Sequence, residues 1–396
     1  MKIVNTQKIP IKMWLEEIED GAMDQIRHLA DLPFAFSHVA IMPDSHQGYG
    51  MPIGGVLATK DVIIPNAVGV DIGCGMCAIK TTLTDIDYTT LKRLMGEIRK
   101  VIPVGFKKHD EAQPGWMDNH SAGLEYGDLP VVSREFVNAQ KSIGTLGGGN
   151  HFIEIQKGSD GHIWIMIHSG SRNLGKQVAD YYNKIAIDLN KKWFSSVPEE
   201  WELAYLPVES EEGEAYIREM NYCVDFALAN RKLMMERITD ILSQIENERT
   251  GGETPTVVLD FINIAHNYAK LENHMGKNVW IHRKGATLAD TDTIGIIPGS
   301  QGTKSYIVKG KGNVLSFKSC SHGAGRRMGR KQAQKTLNLE DEIKLLDDQH
   351  ILHAIRGVDQ LDEASGAYKD ISVVMENQKD LVEVLVELTP LAVIKG

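Results

Sequence analysis

The sequence predicts a mixed α/β protein, and three observations carry that prediction. Short apolar runs at 39–42, 163–167 and 257–264 have the length of buried strands, and each ends in polar residues. Apolar residues three or four apart, above all between 216 and 245, carry a helical period. A chain of 396 residues with 42% hydrophobic content can bury a large core, in one domain or in two. No apolar run approaches the roughly 18 residues of a membrane span. The stretch 1–14 lacks the apolar core of a signal peptide. Four cysteines (74, 77, 223 and 320) make no disulfide framework, so reduced thiols in the cytosol are expected. A formal charge of -10 argues against a surface coated in base, but leaves room for a local basic groove.

Taken in order, residues 1–10 read as a short strand or irregular lead, and a helix runs from Trp14 towards Ala30, with Pro33 as its stop signal. Val39 to Met42 is a buried strand that runs into a loop with Asp44 and His46. Such residues build either a site or a turn bonded to its own backbone. In the stretch 66–77, NAVGVDIGCGMC, Asp71 and Cys74 lie three apart among glycines. Cys77 to Thr81 leaves as a strand, and Tyr88 to Lys100 forms a helix. Residues 105–119 are a polar loop whose Lys107, Lys108 and His109 are either solvated or meet phosphates. In 144–156, GTLGGGNHFIEIQ, three glycines lead to Asn150, His151 and an alternating strand, Phe152 to Ile155. Glycine N–H groups there can form an anion-binding nest. No lysine and hydroxyl follow the glycines, so it is not a Walker loop.

The strand 163–167 ends at His168. Arg172 then precedes a helix over 174–190, where its charge suits a bound anion or simple exposure better than the helix dipole. Residues 193–213 read as a surface excursion. A long helix follows, with an apolar stripe from Tyr216 to Ile245, Cys223 as a core thiol, and Asn230 either at the edge of that face or bonded to a polar neighbour. Residues 246–255 read as a polar linker. The strand over 257–264 ends at His266 and Asn267. His282, Arg283 and Lys284 bring positive charge to a strand end, and 296–308 supplies a Pro-Gly turn with Ser300 and Ser305. His322 precedes a Gly-Ala-Gly turn and then Arg326, Arg327, Arg330 and Lys331, either an anion site or a solvated helix start. Residues 358–364 read as an acidic loop or helix start, 380–389 as helix or strand, and Lys395 as a solvent-exposed terminal lysine.

Asp71, Cys74, His151, His168 and His266 each sit in or beside a loop at the end of an apolar segment. Five such groups can hold two divalent ions if one of them bridges, and this donor mixture suits zinc, manganese or iron. His322 is a separate case. A histidine can carry a covalent intermediate, and arginines offset charge developing on phosphorus. That pairing favours phosphoryl or nucleotidyl transfer over simple hydrolysis.

The stretches PDSHQGYGMPIGG, GVDIGCGM, GGGNHFIE, HSGSR, AHNYA, HRKGA, PGS and CSHGAGR occur in this order. On them, the chain resembles the RtcB family of RNA ligases over nearly its whole length. The resemblance implies a single compact α/β (α+β) domain over 1–396, with central sheets flanked by helices and a deep metal-containing cleft. It implies a GTP- and manganese-dependent ligase that joins RNA 3′-phosphate or 2′,3′-cyclic phosphate ends to 5′-hydroxyl ends in RNA repair or tRNA splicing. The route passes through a guanylylated histidine and an RNA-3′-pp-5′-guanosine intermediate. Matched motif by motif, the guanylylated residue falls on His322. The ligands of two manganese ions fall on Asp71, Cys74, His151, His168 and His266, with the cysteine bridging. Asn150 matches a phosphate contact, and Glu154, Ser305 and Lys395 match residues around the guanine. The expected partner is RNA, with no membrane, in a cytoplasmic monomer. Two other readings compete. A dimetal phosphodiesterase or phosphatase would form no covalent GMP adduct. A noncatalytic RNA-binding protein would need neither the ligand cluster nor His322.

Overall fold

The fold comes from a computed structural model that describes residues 1–113, 129–252 and 256–396. The chain opens with β1 (Lys2–Val4), β2 (Ile11–Met13), α1 (Asp20–Ala30), β3 (Ala35–Tyr49), β4 (Met51–Thr59), β5 (Val62–Ile63), α2 (Pro65–Val68) and β6 (Gly75–Thr81). It continues with α3 (Tyr88–Val101), α4 (Pro130–Ser142), β7 (Phe152–Gly158), β8 (Ile163–Ser169), α5 (Leu174–Lys192), β9 (Leu206–Pro207) and α6 (Glu211–Thr250). Next come β10 (Val258–Ala265), β11 (Asn267–His274), β12 (Lys277–Lys284), β13 (Ala286–Leu288), β14 (Ile294–Ile297) and β15 (Ser305–Gly310). The last elements are β16 (Ser319–Ser321), α7 (Arg330–Thr336), α8 (Leu339–Asp347), α9 (Ile371–Asn377) and β17 (Val382–Lys395).

Two sheets organise these elements into a compact α/β domain flanked by helices. One has the order β1-β2-β3-β4-β12-β11 and is mixed, because β2 pairs parallel with β3. The other has the order β10-β6-β8-β7-β17-β15-β14. The cysteines are all buried and free. Among the described residues, no helix is long and apolar enough to cross a membrane.

Several sequence readings change. The helix expected from Trp14 begins only at Asp20. Residues 11–13 are recruited as a strand beside β3, and Trp14 is buried with its indole N–H donated to Asp380. Asp44 and His46 lie within β3 rather than in a loop beyond it. The excursion over 193–213 is partly core: Val197, Leu203 and Leu206 are buried. The proposed linker belongs to α6 as far as Thr250, where Gly251 ends the helix in the left-handed region. Residues 253–255 of that linker and 114–119 of the polar loop lie outside the described residues. The strand candidate at 257–264 forms β10, which is a sheet edge with Val258 to Phe261 exposed. His282 and Arg283 are fully buried, and Arg283 pairs with Glu272 at 2.5 Å. Residues 382–395 form a strand, so Lys395 is held opposite Phe152 instead of trailing into solvent.

Candidate metal centre and active site

Strand register builds the ligand cluster. The neighbours β10, β6, β8 and β7 meet at one edge of their sheet, where Ala265 faces Gly75, His168 faces Met76, and Phe152 faces His168. Cys74 stands just before β6, His266 just after β10, His168 near the end of β8, and His151 just before β7. Four separate strand ends therefore deliver a thiol and three imidazoles to one place, and the turn before β6 adds Asp71. Two overlapping triads result, Asp71–Cys74–His151 and Cys74–His168–His266, with Cys74 in both.

The donor atoms suit cations. The Cys74 sulfur lies 3.5 Å from His151 Nε2 and 3.3 Å from His168 Nε2, and the latter lies 3.4 Å from His266 Nε2. His151 Nδ1 bonds the Leu146 carbonyl at 2.9 Å, and His168 Nδ1 bonds that of Asn150 at 3.1 Å. A carbonyl can only accept, so both Nδ1 atoms carry the proton and both Nε2 lone pairs point inward. Burial and the surrounding imidazoles push His168 and His266 well below their ordinary values, which keeps them in the neutral, ligating form. Burial and the Asp71 carboxylate push the Cys74 thiol well up. Lone pairs this close repel unless a cation sits among them, and a divalent ion would displace the thiol proton. One carboxylate, one thiolate and three imidazoles thus fit two ions that share the sulfur.

Two α6 residues hold this edge in place, and they answer why a polar residue interrupts the helix stripe. Asn230 Oδ1 accepts from the N–H groups of Gly144 and Thr145 at 2.7 and 3.2 Å, and its Nδ2 donates to the carbonyls of Thr145 and Gly170. Those two N–H groups are therefore spent on Asn230 and not on an anion. Arg231, fully buried, donates to the Gly73 and Ser169 carbonyls and to Asn263. Arg172 is not a free surface group: its Nε donates to Thr145 and its Nη2 to the Gly105 carbonyl. Likewise, His109 meets the Gly144 carbonyl and Arg237.

His322 lies beside the cluster, its ring centroid 4.8 Å from that of His266. Its Nδ1 is 2.6 Å from Asp44 Oδ2, which also accepts from the N–H groups of His322 and Gly323. Burial works to raise the fully buried Asp44 carboxyl, but His322, Lys369 and His46 hold it below its ordinary value. The ionised acceptor keeps a proton on Nδ1 and leaves the Nε2 lone pair available. The turn after His322 must lie directly on β3. Gly325 has φ +72, and a Cβ there would come within 2.0 Å of the Asp44 carbonyl. Asp44 and Asn230, which the sequence offered as a site residue and as a partner of a polar neighbour, support the site from behind, and Arg231 is the support that sequence reasoning missed. A buried asparagine inside an otherwise apolar stripe was the available signal for one of them.

The cluster and His322 open into a cleft of about 990 Å³, which Asn150, Glu154 and Lys395 also line. Burial pushes the Glu154 carboxyl up to about 8, against Gln156 and Lys395, which pull it down. Lys395 lies 3.7 Å from Glu363, with its amine 5.4 Å from the centre of the Phe152 ring. Ser305 is buried behind the cleft wall, where its hydroxyl accepts from the Gly299 N–H at 3.1 Å. The basic cluster is partly compensated internally. Arg326 and Arg330 both pair with the buried Glu363, at 3.2 and 3.1 Å.

Residues 25–396 match the family model described as "RtcB: tRNA-splicing ligase RtcB". The chain is 40% identical over 410 residues to an RNA-splicing ligase RtcB of Escherichia coli K12, covering 100% of this chain and 99% of that protein. It is 31% identical over 447 residues to a tRNA-splicing ligase RtcB of Thermococcus kodakarensis, covering 96% and 92% of the two. It is 34% identical over 444 residues to an RNA-splicing ligase RtcB homolog 1 of Entamoeba dispar, covering 94% and 81%. With the family model spanning most of its length and these relatives matched nearly end to end, the chain belongs to the RtcB family.

Proposed function

We propose that residues 1–396 form one catalytic domain that seals RNA breaks, joining a 3′-phosphate or 2′,3′-cyclic phosphate end to a 5′-hydroxyl end at the expense of GTP. The single observation that carries this reading is the seat of His322. Its Nδ1 is fixed on a buried carboxylate, and its ring lies against a cluster that fits two cations. A hydrolase that activates water on two metal ions needs no covalent histidine, whereas a nucleotidyl carrier does.

His322 Nε2 attacks the α-phosphorus of GTP, forming a P–N bond as the bond to pyrophosphate breaks. Asp44 holds the ring while positive charge develops on it. An oxygen of the RNA 3′-phosphate then takes the GMP from His322, which returns to its neutral form, and RNA-3′-pp-5′-guanosine results. The 5′-hydroxyl oxygen of the second strand attacks the RNA phosphorus and GMP departs. A cyclic end is first opened by water to the 3′-phosphate. Two divalent ions, manganese in this reading, would be held by Asp71, Cys74, His151, His168 and His266 and would withdraw charge from the phosphates. Asn150 contacts phosphate at the same end of the cleft. Glu154 and Lys395 form the guanine end, and Ser305 braces the Pro298–Gln301 turn beside it.

Incubation with labelled GTP and manganese but no RNA, followed by peptide mapping in base, tests the reading. A GMP increment on the peptide containing His322, lost in His322→Ala, is expected. Normal adduct formation in that variant would overturn the assignment. A phosphodiesterase would leave wild-type protein unlabelled.

A further inference from the structure

The tip of the β3–β4 hairpin, residues 47–50, is held far more firmly than an exposed turn requires. The Gln47 N–H donates to Glu19. The Gly48 N–H and carbonyl are both taken by the Gln25 amide, at 3.1 and 2.7 Å. Lys284 donates to the Tyr49 carbonyl at 2.6 Å, and Glu202 accepts from the Gly50 N–H at 3.0 Å. Four side chains from three parts of the chain, two of them from α1 and its N-cap, thus fasten four consecutive residues. At the centre of this clamp the Tyr49 side chain stays in solvent, 69% exposed, and it lines the same cleft as His322.

The clamp is tied directly to the reaction centre. Lys284 is buried, which lowers its amine to about 7, and it also donates to the Asn66 carbonyl at 2.9 Å, next to the turn that carries Asp71. Its neighbour Gly285 touches the His322 ring: a Cβ built there lies 3.0 Å from His322 Cε1. One lysine side chain therefore spans the distance between the hairpin tip and the residue packed against His322. Burying a lysine to hold the peptide of an exposed tyrosine is costly unless the ring's position matters.

We propose that Tyr49 is a stacking platform for a nucleobase of the RNA strand entering the cleft. This rests on the ligase reading above. A single-stranded end offers unstacked bases, every base has a π-face, and a ring carried on a fixed peptide has only its own side-chain freedom to lose on contact. The exposed Lys331, on the same cleft, supplies charge for the backbone of such a strand.

The test is fluorescence anisotropy with a short single-stranded RNA bearing a 3′-phosphate, and with the same RNA carrying single abasic substitutions, on wild type, Tyr49→Phe and Tyr49→Ala. Stacking on one base predicts roughly 5- to 150-fold weaker binding in Tyr49→Ala and nearly full rescue by phenylalanine. One abasic position should erase the difference between wild type and Tyr49→Ala, and the dependence on salt should be parallel in the two proteins, since no phosphate contact is lost. Wild-type affinity in Tyr49→Ala, a phenylalanine variant as weak as alanine, or no abasic position that removes the difference would each overturn the proposal. Labelling with GTP in the absence of RNA is run alongside. If wild type forms no adduct, the ligase reading fails while the stacking result stands by itself.

Discussion

Replacing Asp44 by asparagine isolates the support of the proposed nucleophile, His322. The carboxylate accepts three hydrogen bonds at Oδ2, one of them 2.6 Å from His322 Nδ1 and two from backbone N–H groups, and its other oxygen has no partner. Alanine is the wrong substitution, because three buried donors would be orphaned at about 1–3 kcal/mol each and the loop would rearrange. Asparagine keeps the shape, and its carbonyl can still accept from the backbone. What it loses is the charge. A hydrogen bond to a charged group contributes about 1.5–3 kcal/mol. If that is lost as the ring becomes cationic, the rate falls roughly 10- to 150-fold. Turned the other way, the amide would aim its NH₂ at Nδ1 and move the imidazole proton onto Nε2, the proposed attacking atom, at the further cost of the two backbone donors that share that position. That tautomer error costs about 10⁴ in hydrolases whose histidine is oriented by an aspartate. The expected outcome is thus a loss of about 10²- to 10⁴-fold in the rate of labelling from saturating GTP, with RNA affinity and melting temperature near wild type. Labelling at the wild-type rate would refute the claim that this carboxylate sets the state of His322.

Cys74→Ala removes the donor shared by both triads, so mass spectrometry of the purified protein should find fewer than two ions per chain and no GMP adduct should form; two retained ions would count against bridging. Glu154 keeps its proton to about pH 8 when folded, against an ordinary value of 4.5. Its burial therefore favours the folded state less as pH rises through that window, while an anionic acceptor for guanine's N1–H appears only at its upper end. The kcat/KM for GTP in adduct formation should climb with pH towards about 8, and Glu154→Gln should lose that rise along with part of the preference for GTP over ATP. Asn230→Leu would orphan the Gly144 and Thr145 N–H groups, a cost of about 2–6 kcal/mol that should lower the urea midpoint; an unchanged midpoint would mean that other groups or water replace them.

Much of the site was legible in the sequence because its donors are punctuation. Asp71, Cys74, His151, His168 and His266 all stand where an apolar run starts or stops, and His322 stands before a glycine turn. A polar residue at the mouth of a buried strand has few structural duties, so its chemistry shows. The strands over 75–81 and 163–169 and the helix over 88–101 were legible for the same local reason, since periodicity and length belong to the segment itself.

Pairing is not local, and only the tertiary structure decided it. Nothing in the residues 11–13 says that they join β3 rather than a helix, and nothing in Lys395 says that it faces Phe152. Nor does spacing reveal that Asn230 and Arg231 hold the ligand edge, or that Asp44, 278 positions before His322, bonds its ring. The sequence by itself determined which residues have the chemistry of metal ligands and of a nucleophile, because side-chain chemistry and strand ends are written residue by residue. Which of them meet, in what protonation state and on what support was decided by register between distant strands and by burial, which exist only once the chain has folded.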